Sequence, residues 1–181
     1  YNTSTYQRNG YMSAHTVAKL LVDIVSKNGN MLLSVPLRAD GTPDEKELAI
    51  MKEFGAWMKV NSESIVKTRP WKVFGEGPIA NADIKINAQV FNDGQYTNAG
   101  AIEIRFTQTE KNLYITALAW PENHTITVKS LAEGSDLYPT AIKSVELLGY
   151  GKVKYERTKD ALVVTLPEKL NNIMPVLRVK K

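Results

Sequence analysis

One short apolar run, Met31-Leu32-Leu33-Ser34-Val35, most constrains what this chain can fold into. It is almost continuously apolar, as a parallel strand buried on both faces is. It stops at Pro36, which has no N–H to give to a central ladder. Helical patterns flank it on both sides, so residues 12–66 read helix–strand–helix. Ahead of it, Ser13 is the expected N-cap, and Val17, Leu20, Leu21, Ile24 and Val25 recur at helical spacing as one apolar stripe. Lys27 falls in the last turn, and Asn28-Gly29 supplies the left-handed stop that helix ends favour. Beyond the run, Thr42 is the expected cap and Pro43 the first helical residue, with Glu45 completing a Thr-x-x-Glu capping box. Leu48, Met51, Phe54 and Met58 mark that helix's buried face, with Trp57 alongside. Helix–strand–helix is a piece of an α/β fold, but one strand cannot make a sheet. These elements need neighbours that the rest of the chain does not supply.

The remainder changes period. Ile102, Ile104 and Phe106 alternate with Glu103, Arg105 and Thr107, the two-residue repeat of a strand. Leu113 to Trp120 reads as a long strand, and the Pro121-Glu122-Asn123-His124 turn leads to Ile126 and Val128. Val145, Leu147 and Leu148 precede a Gly149-Tyr150-Gly151 break. Val153 and Tyr155 are expected to pair with Leu162, Val164 and Leu166 across a Glu156–Asp160 turn, and Val176 to Val179 closes the chain. Short strands punctuated by turns predict an antiparallel sandwich. The least regular stretch, 71–100, is expected to hold a first edge strand and a long loop, or a small insertion. The expected division is 1–67 and 68–181, an α+β chain.

Composition limits function more than fold. With 181 residues, 43% hydrophobic and 23% charged, the chain has ordinary globular proportions. Its +4 net charge is scattered, and no basic stripe interleaves with aromatics as a nucleic-acid footprint would. Cysteine is absent, which excludes disulfides, thiol chemistry and Cys-based zinc sites. No apolar run reaches the roughly 18 residues of a membrane span. His15 and His124 have no metal-ligand spacing; His15 is expected to face solvent and His124 to sit in a turn. No cofactor or metal is expected.

The residues from Val25 to Trp71, VSKNGNMLLSVPLRADGTPDEKELAIMKEFGAWMKVNSESIVKTRPW, are similar to the closing barrel unit of the α-L-fucosidases of glycoside hydrolase family 29. In that family an NGN-type turn feeds a short apolar strand, a RADGT loop follows, and a long helix ends near TRPW. Downstream, IRFTQTEKNLYITALAWP and the pair IKSVELLGYGKV and ALVVTLP resemble the family's sandwich strands. The resemblance implies the last helix–strand–helix of a (β/α)8 barrel followed by an antiparallel β-sandwich. One departure is visible. The family usually carries Gly-Pro before RADG, where this chain has Pro36-Leu37, and proline fixes φ near −65°. Loops at that strand's end are therefore expected to differ in shape.

The resemblance further implies a retaining exo-glycosidase acting on terminal α-L-fucose of glycans. Retention needs two carboxyl groups about 5–5.5 Å apart. The family's two catalytic carboxylates lie upstream of anything matched here, so no catalytic residue is assigned and the isolated chain is expected to be inactive. Asp23 falls in a helix, Asp44 at a helix start, and Asp40 in the RADG turn, where capping the loop is its expected role. A barrel's active site lies at the C-terminal ends of its strands. Ser34 and Arg38 would lie there, with Tyr1, Asn2 and Tyr6 in the preceding loop on the same face, as candidate substrate contacts. Loop-on-loop packing is the alternative for all five. For Arg38 it takes the form of an ion pair with Asp40 or a carbonyl clamp.

A non-catalytic sandwich that binds carbohydrate or docks a partner is the other functional reading. Trp57, Trp71 and Trp120 bear on it: exposed in a row they would favour it, and buried they would mark core. The expected partner is the missing N-terminal catalytic barrel. In its absence the uncovered apolar faces predict self-association. The family resemblance points to a periplasmic, secreted or lysosomal-type setting.

Overall fold

The computed structural model describes residues 10–80, 100–171 and 173–181. Helix α1 spans Ala14–Ser26 and α2 spans Glu45–Asn61, followed by a 3-10 turn over Ser62–Ser64. The strands are β1 (Arg69–Glu76), β2 (Ile104–Gln108), β3 (Asn112–Ala117), β4 (Thr125–Val128), β5 (Ser144–Leu147), β6 (Gly151–Lys152), β7 (Lys154–Arg157), β8 (Leu162–Thr165) and β9 (Val176–Lys180). They form a six-stranded sheet in the order β1-β2-β3-β9-β5-β6 and a three-stranded sheet in the order β4-β8-β7. Every strand pair among the described residues is antiparallel.

Three layers result. Ile104 and Phe106 of β2 point into the core between the sheets, with Leu113 and Ile115 of β3, Leu162 and Val164 of β8, and Leu177 and Val179 of β9. Trp71 meets Phe106 edge-on, with ring centroids 4.8 Å apart, a favoured aromatic geometry. The helices cover the other face of the large sheet. There Ala14, Ala18 and Val22 of α1 and Trp57 of α2 pack on Leu118, Ile173, Met174 and Val176. The sandwich expected from the strand pattern is present, and Tyr155 pairs with Val164 as expected, but Glu156 and Arg157 continue β7 instead of turning, and Val153 N–H bonds Val145 C=O outside that hairpin. The strand expected over 113–120 ends at Ala117.

The helix signals resolve in part as expected. Ser13 caps α1, its Oγ accepting the Thr16 N–H at 3.1 Å. Asn28 adopts φ +66° at the other end, where Gly29 N–H bonds to Ile24 C=O and Asn28 N–H to Val25 C=O. These are the two bonds of a Schellman stop. The cap of α2 is Asp44, not Thr42. Asp44 Oδ1 takes the Glu47 N–H at 2.8 Å, while the Thr42 hydroxyl donates to Asp40 and closes the RADGT turn. A carboxylate next to the first turn suits the helix dipole better than a hydroxyl two residues earlier.

The buried faces also differ from expectation. The sandwich-facing stripe of α1 is Ala14, Ala18 and Val22, whereas Leu20, Leu21, Ile24 and Val25 are only half-buried. On α2, Trp57 is buried but Leu48 and Met51 are exposed. The Met31–Val35 run forms no strand, and Leu32 is 98% exposed. One physical reason accounts for all three. A strand needs a ladder on its edges, an apolar stripe needs a cover, and the described residues offer neither on this side.

Candidate functional site

The segment singled out by sequence, 30–45, is organised by local polar bonds. Arg38 N–H donates to Thr42 C=O at 2.8 Å, and Gly41 N–H to Arg38 C=O at 2.9 Å. Asp40 Oδ1 accepts both the N–H of Thr42, at 3.0 Å, and its hydroxyl, at 2.7 Å. Those bonds hold the Asp40 carboxyl below its ordinary range. Asp40 thus caps its loop, the role expected of it. The Arg38 guanidinium pairs with Glu45 at 2.6 Å and not with Asp40. That bond raises the Arg38 pKa and lowers that of Glu45. Glu45 therefore serves the arginine and not a capping box.

Helix α1, helix α2 and residues 30–35 enclose an open cavity of about 490 Å³. Its walls are mainly Leu20 and Ile24 from α1, Ile50 and Phe54 from α2, and the Met31–Val35 run. Ser34 borders it, exposed; Arg38 does not. Tyr1, Asn2 and Tyr6 lie outside the described residues. Among the described residues the cavity has one carboxylate, Glu47, at its edge. A double-displacement glycosidase needs a pair. The lining is mainly apolar and open.

The polar side of β2 is the feature that sequence reasoning missed. Arg105 and Thr107 of β2, with Glu103 just ahead of it, alternate with core residues as a solvent-facing row would, yet all three are buried. Each bonds a different element on the helical side. The Thr107 hydroxyl donates to Ser64 C=O at 2.6 Å. Arg105 Nε donates to Asp23 Oδ1 of α1 at 2.5 Å, and its Nη1 to Glu103 Oε2 at 3.1 Å and Ile104 C=O at 2.9 Å. Glu103 in turn accepts the N–H groups of Ile79, at 2.5 Å, and Ala80, at 3.2 Å. Lys27 Nζ reaches Asp23 Oδ2 at 2.8 Å, and both Lys27 and Arg105 lie over the Phe74 ring, at 4.8 and 5.5 Å from its centre. Two cations thus balance two carboxylates, as buried charge requires. The available signal was Gly75-Glu76-Gly77. Gly77 holds φ +130°, and a Cβ there would lie 2.6 Å from the Glu103 carboxylate.

Trp57 and Trp71 are structural, while Trp120 is half-buried, its Nε1 donating to Asn171 Oδ1 at 3.3 Å. Trp57 Nε1 donates to Met174 C=O at 2.9 Å between helix and sandwich, and Trp71 lies in the inter-sheet core. His15 does not face solvent. It is half-buried, with Nε2 2.7 Å from Leu118 C=O, and burial lowers its pKa. His124 sits in its expected turn, at φ +53°.

Two family models match the chain: Alpha-L-fucosidase over residues 1–63, and Alpha-L-fucosidase C-terminal domain over residues 98–180. The plasma alpha-L-fucosidase of Pongo abelii is 28% identical over 169 residues, covering 91% of this chain and 30% of that protein. The tissue alpha-L-fucosidase of Mus musculus is 27% identical over 177 residues, covering 91% of this chain and 32% of its own length. The crystal structure of Thermotoga maritima alpha-fucosidase superposes with a TM-score of 0.68 at 25% identity, over 95% of this chain and 36% of that one. The chain therefore spans about a third of the length of the relatives it matches.

Proposed function

We propose, because this chain belongs to the α-L-fucosidases of glycoside hydrolase family 29 and matches their C-terminal part, that it is the scaffold portion of a retaining exo-α-L-fucosidase. The whole enzyme would remove terminal α-L-fucose from glycans. Its two catalytic carboxylates would come from the upstream portion, and this chain alone would be inactive. In this reading residues 1–67 are the last helix–strand–helix of the catalytic barrel and 68–181 the sandwich that braces it. Met31–Val35 becomes a strand when its neighbours arrive on either edge. Ser34 and Arg38 then lie at that strand's C-terminal end, where barrel enzymes gather substrate contacts. Tyr1, Asn2 and Tyr6 approach from the preceding loop.

The observation that carries this reading is the uncovered face of the helical half. Leu32, Leu33, Leu48 and Met51 are exposed around the apolar cavity, while Ala14, Ala18 and Val22 of α1 and Trp57 of α2 are buried against the sandwich on the other side. A contiguous apolar patch of this kind marks an interface. In the isolated chain the same face drives self-association, and a monodisperse monomer by sedimentation would overturn that part. The reading of the sandwich as a non-catalytic glycan binder draws no support from Trp57 and Trp71, which are buried.

The test is hydrolysis of a chromogenic α-L-fucoside by this chain and by the gene product extended upstream. Activity in the longer protein alone is the expected result. Activity in the isolated chain, or in neither, would contradict it.

A further inference from the structure

The contact between helices and sandwich is apolar at its centre and ionic at one corner, and the two parts do different work. Ala14, Ala18 and Val22 let α1 lie close on Leu118 and Val176. Such contact is favourable but non-directional, and a helix can slide or rotate on it at little cost. The corner is the opposite. Arg105 is completely buried, and its guanidinium plane is set by Asp23, Glu103 and the Ile104 carbonyl together. Only one helix register puts the Asp23 carboxylate 2.5 Å from Arg105 Nε. Buried ion pairs contribute little net stability compared with apolar residues of similar size, so a role in specifying geometry is the better account of one.

We propose that Arg105 is a positioning residue that fixes α1, and through it the segment after α1, against the sandwich. The location supports this. Asp23 lies one turn before the Schellman stop of α1, so the pair anchors the end of the helix from which residues 30–38 depart. Lys27, in that stop, closes the same carboxylate from its other side. Glu103 extends the anchor to the turn at Ile79 and Ala80, so one guanidinium ties together a helix, a strand and a turn. Gly75 and Gly77 leave the space for it, since a side chain at either would collide with Ile104 C=O or the Glu103 carboxylate. On the fucosidase reading, on which the functional consequence rests, Arg105 sets where Ser34 and Arg38 stand relative to the sugar without touching it.

The test begins on this chain. The triple variant Asp23→Leu, Glu103→Gln, Arg105→Met removes the three buried charges and leaves Lys27, which is partly exposed, while keeping approximate volume. Amide exchange across α1 is expected to quicken about tenfold while β3 and β9 amides keep their protection. Should that variant fail to fold, Arg105→Lys retains charge but loses the planar fork, and the same selective loss is expected at smaller amplitude. Unchanged α1 exchange in a folded variant, or equal loss over α1 and the sheet, would overturn the proposal. In the upstream-extended protein, assayed at a temperature where the variant is still fully folded, Arg105→Lys is expected to lower kcat/KM for a chromogenic α-L-fucoside about tenfold, as small misplacements near a reacting centre do. An unaltered kcat/KM would refute the functional consequence. If the unsubstituted extended protein hydrolyses no fucoside, the fucosidase reading fails, and amide exchange still decides the positioning role.

Discussion

The two faces of the large sheet are closed in different ways. On one side the three-stranded sheet covers its central strands, and Phe106, Leu113, Leu162 and Leu177 are wholly buried. On the other side the helices are packed only on their sandwich-facing surface, leaving Leu32, Leu48 and Met51 in solvent. The first region satisfies its hydrophobic and backbone demands within the chain. The second does so only on its packed side, and its other side stays apolar and open among the described residues. A contiguous apolar face left uncovered among the described residues marks an interface.

This contrast can be broken at several points. The largest effect is expected in the complete core. Phe106→Ala removes a wholly buried ring and its edge contact with Trp71, and should cost about 3–5 kcal/mol in urea unfolding followed by tryptophan fluorescence. A loss below about 1 kcal/mol would mean that the sandwich core is loosely packed. Next is the packed side of the helices. Ala18→Leu overfills the closest approach of α1 to the sheet and should cost about 1–3 kcal/mol, with α1 amides losing protection before those of β3. Simultaneous loss in both would show that helices and sandwich unfold as one unit.

A smaller effect is expected at the seam's outer edge. Arg178 and Lys180 bond the Glu146 carboxylate and hold its pKa down to about 2, from an ordinary 4.5. A carboxylate depressed by folding contributes stability that is present above its unfolded pKa and lost as pH falls through its folded one. Stability should therefore decline between about pH 4.5 and 2, and Glu146→Gln should flatten that part of the profile in acid titrations of the melting temperature. An identical acid slope in both proteins would mean that the pair is not formed in solution. The smallest effect on stability is expected at the open face. Leu32→Asp should change unfolding free energy by less than about 0.5 kcal/mol while reducing self-association in sedimentation. A large stability loss there would show that Leu32 is covered within the single chain.

Legibility in the sequence followed locality. The Asn28-Gly29 stop, the Ser13 cap and the strand alternation depend on neighbours a few residues away, and the structure has them. The cap of α2 falls two residues later than expected because Thr42 and Asp44 are both cap formers, and only the turn around Asp40 decides between them. Long-range pairings left weaker traces. Arg105 and Asp23 are 82 positions apart, and a strand's polar side looks the same in sequence whether it faces water or a helix. The Met31–Val35 strand and the Leu48–Met51 buried face are expected from residue type alone, which carries no information on what covers them.

The most direct measurement is amide exchange over residues 30–38 and 45–54, in this chain and in the protein extended upstream. Protection of both segments should rise at least about tenfold in the longer protein, with β3 and β9 unchanged in both. Equal exchange in the two proteins would contradict the claim that the open face of the helical half is completed by the upstream portion.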